Sequence, residues 1–171
     1  MKVLVINSGS STVKFQVIET TDATGELRRQ QKLARGLVDR IGAGASYRFE
    51  GLGRSTKSGS LPVGDHEEAV CSIIHWLRSN WPERGLDAVG HRVVHGGAEF
   101  TVSLLIDDRV MEKIDALGEL APLHNPPAVS GIRAAQKILG AAVPMVAVFD
   151  TSFHHTIPEQ AATYAIPYEL S

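Results

Sequence analysis

The sequence predicts an α/β fold, and three observations predict it. Two short apolar runs, Val3 to Ile6 and Val13 to Val17, stand on either side of a polar turn. Farther along, apolar residues recur every three to four positions in three separate segments, the spacing of helices that bury one face. Met145 to Phe149 is then continuously apolar and ends in Asp150. A carboxylate at the C-terminal end of a buried strand is where an open α/β sheet places its ligand chemistry.

The first run reads as a fully buried strand, and the second, with Val13, Phe15 and Val17 alternating with Lys14 and Gln16, as a strand with one buried face. Between them Asn7-Ser8-Gly9-Ser10-Ser11-Thr12 offers unobstructed backbone N–H groups and short hydroxyl donors, with the Lys14 ammonium just beyond. These are parts for binding an anion, most simply a phosphate, and equally the composition of a solvated hairpin turn. It is not a Walker A loop: the Gly-x4-Gly-Lys-Ser/Thr spacing is absent, and a strand follows where that motif needs a helix. Lys32 to Val38 predicts a third strand and hence an antiparallel meander, while Arg40 to Gly64, rich in glycine and serine, reads as an exposed hairpin with a mobile tip and no catalytic role, broken by a short strand near Tyr47-Arg48-Phe49.

Asp65 predicts a helix N-cap with Glu68 three residues on, and Ala69, Val70, Ile73, Ile74 and Leu77 carry the buried stripe to Asn80, with Trp76 at its edge. His66 and His75 fall outside that stripe and read as surface residues; Cys71 reads as a small packing residue. A strand beginning near Leu86 puts Arg92 and Val94 on one face and His91, Val93 and His95 on the other if it runs to His95. A guanidinium binds a carboxylate through two parallel hydrogen bonds, and a neighbouring valine accepts a methyl group, so Arg92 with Val94 suits a short fatty acid anion; a structural ion pair at a strand end would use Arg92 equally well. His91 and His95 on a strand stand about 13 Å apart, too far for one zinc ion, and hydrogen bonding within the core is expected of both.

Val110 to Leu120 predicts a helix with Met111, Ile114, Leu117 and Leu120 in the core. Prolines at 122, 126 and 127 stiffen the backbone around Leu123, His124 and Asn125, which suggests that those side chains are being aimed. A further helix runs from Pro127 to Gly140 with Val129, Ile132, Ala135, Ile138 and Leu139 inward. Asp150, after the last apolar strand, is either a strand-end cap or a site carboxylate; His154 and His155 lie outside any periodic element.

Bulk properties agree with a small-molecule protein. A chain of 171 residues buries about two thirds of its unfolded surface and so folds around a real core. Its 17 basic and 19 acidic residues include no basic run of the kind that binds nucleic acid or an anionic membrane. No signal-like start or apolar stretch of spanning length is present, and the single Cys71 cannot pair within the chain, so a reducing cytoplasm is expected.

Five stretches, V-L-V-I-N-S-G-S-S-T-V-K-F at the start, G-L-V-D-R-I-G at 36–42, G-H-R-V-V-H-G-G at 90–97, A-P-L-H-N-P at 121–126 and V-F-D-T-S-F-H at 148–154, together resemble acetate kinase, in that family's order and over essentially the whole chain. The resemblance implies a ribonuclease H-like (actin-like ATPase) α/β domain with a mixed sheet and flanking helices, the second domain largely missing. It further implies domain bounds of 1–150 for an acyl-binding part and 151–171 for the start of a connection. The implied reaction is reversible transfer of the ATP γ-phosphoryl to acetate with Mg2+. Position by position, Asn7 would associate with magnesium, and Lys14, Ser10 and Thr12 with nucleotide phosphate, Thr12 standing where many members have serine. Arg92 would bind the acetate carboxylate, Val94 and Leu123 would line the methyl pocket, His124 would face the phosphoryl path, and Asp150 matches the residue given an acid/base role. Because acetate is already an anion, a base has no proton to remove, and organising magnesium and water suits Asp150 better. The family's later histidine, arginine, adenosine-binding residues and magnesium glutamate have no counterpart here. The expectation is therefore an N-terminal fragment, inactive alone, of an enzyme that is a homodimer at full length. Propionate or butyrate as substrate, or a non-catalytic anion- or partner-binding module, are the alternatives.

Overall fold

The computed structural model describes residues 1–21, 30–80 and 85–167. Strands β1 (Lys2–Ser8), β2 (Val13–Thr20), β3 (Gln30–Asp39), β4 (Ser46–Gly51) and β5 (Lys57–Ser60) are followed by helix α1 (His66–Asn80). Next come β6 (Ala88–Val93), β7 (Leu104–Leu105), α2 (Asp108–Ala116), α3 (Asn125–Leu139), β8 (Met145–Phe149) and the single turn α4 (Glu159–Ala162). Among the described residues the strands form one mixed sheet in the order β5-β4-β3-β2-β1-β6-β8-β7. β1 is antiparallel to β2 but parallel to β6, and β6 is parallel to β8. The expected α/β mixed sheet is thus present, with its parallel part, β1-β6-β8, toward the β7 edge.

Alternation decides which side chains meet the helices. Leu4 and Ile6 of β1, Val89, His91 and Val93 of β6, and Met145, Ala147 and Phe149 of β8 are buried, beneath α1 and α3. The intervening Val5, Asn7, Arg92 and Val148 turn to the opposite face, where Val5 and Val148 are exposed. Helix α1 is capped as its sequence demands: Asp65 Oδ1 accepts the Glu68 N–H at 2.8 Å, and Glu68 Oε2 accepts the Gly64 N–H at 2.6 Å. Its Trp76 closes an aromatic cluster with Phe15 and Phe49, ring centroids 5.1–6.0 Å apart. Helix α3 comes close to β1 because Gly131 has no Cβ; one built there would lie 2.8 Å from Ser8 Oγ.

Several expectations change. The stretch from Arg40 to Gly64 is a hairpin, but it holds two strands, and Phe49 is buried in the aromatic cluster. Leu120 is 62% exposed instead of in the core, because α2 ends at Ala116 and a 3-10 turn, Leu117–Glu119, rotates the following residues off the buried stripe. Helix α3 starts at Asn125, two residues earlier than Pro127, and accommodates both prolines in its first turn, where no N–H is missed. β6 stops at Val93, so His95 lies in a loop. Part of the polar stretch after Glu19, at 22–29, lies outside the described residues, as does 168–171. Among the described residues no helix is long and apolar enough to cross a membrane.

Candidate active site

The C-terminal ends of the central strands bring together residues far apart in sequence. On the face away from the helices, Lys14 of β2, Asn7 of β1 and Arg92 of β6 stand in one cross-strand row, since Asn7 pairs with both Lys14 and Arg92. Asp150 follows the end of β8, the next strand. Arg92 joins them: its Nε donates to Asp150 Oδ1 and Oδ2 at 2.9 and 3.0 Å, its Nη2 to Oδ2 at 2.5 Å, and its Nη1 to Asn7 Oδ1 at 3.0 Å. The hydrogen bonds that Arg92 donates to Asp150 raise the guanidinium pKa above its ordinary value, against the opposing effect of burial. Both side chains of the pair remain 41% exposed, so the site opens to solvent. From Asn7 and Lys14 a groove of about 490 Å³ continues along the outer face past Gln16, Arg35, Leu37 and Glu50.

The turn between β1 and β2 is anchored from three directions. Within it the Gly9 N–H donates to the Thr12 carbonyl at 2.8 Å, which removes one of the backbone donors that an anion would use. The Ile41 N–H donates to the Ser11 carbonyl at 3.0 Å, from a bend in which Arg40 takes the left-handed conformation at φ 56°. His66, read as a surface residue, is half-buried, with Nε2 2.7 Å from the Gly9 carbonyl oxygen. A carbonyl only accepts, so Nε2 carries the proton. Position in α1 gave His66 no visible role; its contact with a turn 57 residues away is a product of the fold.

The proline-flanked stretch divides. Asn125 is fully buried and pairs with the loop after β6, accepting the His95 N–H at 3.2 Å and donating Nδ2–H to the His95 carbonyl at 3.0 Å. It continues the hydrogen bonding of β6 where the strand has ended. Leu123, 67% exposed, and His124, also exposed, point to solvent, and Val94 is half-buried. Ser10 is exposed and Thr12 half-buried in the turn. His91 is buried with no hydrogen-bond partner for Nε2 among the described residues.

A family model described as the acetokinase family matches residues 2–171. The chain belongs to the acetokinase family. It is 44% identical to the acetate kinase of Chloroherpeton thalassium over 182 aligned positions, covering 99% of this chain and 44% of that protein. Its structure is similar to that of a propionate kinase from Francisella tularensis, with TM-score 0.82, 40% identity and coverage of 99% of this chain and 42% of the other. Similarity to the acetate kinase of Porphyromonas gingivalis is comparable, at TM-score 0.83 and 36% identity, with 99% and 42% covered. The chain thus spans less than half the length of these acetokinase-family relatives, and the fold is that of an actin-like ATPase domain.

The family implies magnesium, and the donor set here suits that ion. Asn7 and Asp150 present hard oxygen atoms toward one guanidinium, and among the described residues no group of three His, Cys, Asp or Glu side chains is placed to hold a metal. One carboxylate and one amide oxygen make a poor cage for zinc. They match magnesium, which keeps several waters and shares its remaining positions with substrate phosphates.

Proposed function

We propose that the chain supplies the carboxylate-binding half of an acetate kinase, an enzyme transferring the γ-phosphoryl of ATP to acetate. The observation that carries this reading is the convergence of Asn7, Arg92 and Asp150 at the ends of three adjacent parallel strands, with Lys14 in the same row. An acetate oxygen attacks the γ-phosphorus, the bond to the ADP oxygen breaks, and ADP leaves with the electron pair; no proton moves. The work left to the protein is alignment and charge neutralisation. Arg92 holds the acetate carboxylate, Val94 and Leu123 approach the methyl group, and Lys14, Ser10 and Thr12 contact phosphate oxygens. His124, exposed on this chain, would face the phosphoryl path. Asn7 and Asp150 would hold the magnesium ion, which would offset phosphate charge when bound. The setting is a cytoplasmic enzyme, dimeric at full length, with ATP and acetate as its small-molecule partners.

The similarity to a propionate kinase favours a second reading, in which the acyl pocket takes propionate. One methylene is worth about 1–3 kcal/mol of discrimination, so Val94 and Leu123, which would set the pocket size only in part, fix the preference weakly. The half-site by itself is expected not to turn over. A hydroxamate assay for acyl phosphate on the purified 171-residue chain, with acetate and with propionate, is expected to read background. Turnover near that of a full-length relative would overturn the half-site assignment, and the faster substrate would name the acyl group.

A further inference from the structure

Arg92 spends its donors on the oxygens that the proposed function gives to magnesium. Asp150 takes the side-on edge, Nε and Nη2, in the two-pronged manner of a bound carboxylate, and Asn7 Oδ1 takes Nη1. A substrate carboxylate therefore meets a guanidinium whose best edge already carries a carboxylate. If it displaces Asp150, that anion is left without its partner; if it binds the remaining edge, two carboxylates share one positive charge. Either way its affinity is reduced. A cation arriving at Asn7 and Asp150 meets the converse problem, since a positive guanidinium lies within hydrogen-bond distance of every oxygen it needs. Each ligand removes the obstacle to the other.

We propose that Asp150 is a positioning residue that exchanges partners: a divalent cation draws Asp150 and Asn7 away from Arg92, which frees the guanidinium fork for carboxylate, so cation and carboxylate bind cooperatively. This deepens the acetate kinase reading and rests on its assignment of carboxylate to Arg92. Thermodynamic linkage requires the effect to be reciprocal: whatever factor the cation contributes to carboxylate affinity, the carboxylate contributes to cation affinity. The pair is partly exposed, so screening keeps the factor modest, about fivefold or somewhat more. Acetate is then held weakly until a cation is present, and the cation weakly until acetate is.

The test uses the 171-residue chain itself. Mn2+ serves as the cation and is followed by electron paramagnetic resonance, with and without acetate. Acetate is titrated against the Arg92 Nε–H NMR signal, with and without diamagnetic Mg2+. The expected result is a gain of about fivefold in each affinity when the other ligand is present. In Asp150→Asn the internal competitor loses its charge, so acetate binds more tightly than to the parent chain without metal, and adding Mg2+ changes that affinity little. If both ligands bind the parent chain with affinities independent of one another, the exchange is wrong while the carboxylate assignment stands. If acetate never moves the Arg92 signal, the carboxylate assignment falls and the exchange falls with it. Coupling that persists unchanged in Asp150→Asn would also overturn the role given to Asp150. The parent-chain titrations decide the coupling without any variant.

Discussion

His91 is an imidazole at 2% exposure among apolar neighbours, and burial lowers its pKa from 6.5 to about 4. The folded state then binds fewer protons at this residue than the unfolded chain between those values. The stability carried by neutral His91 is complete above pH 6.5 and is lost as pH falls toward 4, by about 3 kcal/mol in total. Urea unfolding of the parent chain and of His91→Leu, each at pH 7 and pH 4.5, measures this. The parent is expected to lose more than the variant by roughly 2 kcal/mol, the larger part of the total; equal losses would show that the acid sensitivity lies elsewhere. The opposite orientation of His91 and Arg92 was legible from strand alternation alone. Partnership was not: that Arg92 meets Asp150, 58 positions away, depends on the register of β6 against β8, and that His66 meets Gly9 depends on where α1 lands. A periodic pattern gives the face of a residue but not what stands opposite.

At the scale of elements, the packing of the antiparallel side hangs on one close approach. Gly36 of β3 lies against two rings, and a Cβ added there would sit 2.5 Å from Phe15, 2.6 Å from Phe49 and 2.8 Å from the Arg48 carbonyl oxygen. The rings are wedged together with Trp76 and have little room to give. Gly36→Ala is expected to destabilise by about 1–3 kcal/mol, read as a lower denaturation midpoint at unchanged slope. A midpoint equal to that of the parent would mean the cluster relaxes freely. Elements with strong internal signals were legible: β1, β2, the capped α1, α3 with its first-turn prolines, and β8. Others were not, and two of them show the physical reason. β5, Lys57 to Ser60, is exposed along its whole length and carries no apolar alternation, so only its pairing with β4 makes it a strand. The end of α2 is set by a 3-10 turn that the continuing apolar spacing through Leu120 conceals.

Over the whole molecule, stability is expected to fall from the centre of the sheet outward. β1 and β6 are paired on both sides and lie against the helices, whereas β5 is an exposed edge and the 3-10 turn after β8 buries no residue. Native-state amide exchange should therefore be slowest in β1 and β6 and fastest in β5 and residues 150–167; uniform protection across the sheet would contradict this gradient. The fold class, and the placing of Asn7, Arg92 and Asp150 near strand ends, were legible from the sequence, because each lies in or beside an apolar run. The closing contacts among these residues were not, because they are set by tertiary pairing. The place of β1 has a kinetic consequence. Its antiparallel side pairs with a strand that follows after four residues, a hairpin that forms in microseconds. Its parallel side pairs Asn7 with Arg92, and Asp150 adds a further span of 58 residues, so those contacts must await the closure of long loops. The turn after β1 is thus assembled early and locally, while the Arg92–Asp150 contact is completed late. A slow folding phase would be felt first as an unmade Arg92–Asp150 pair, before any loss at the turn.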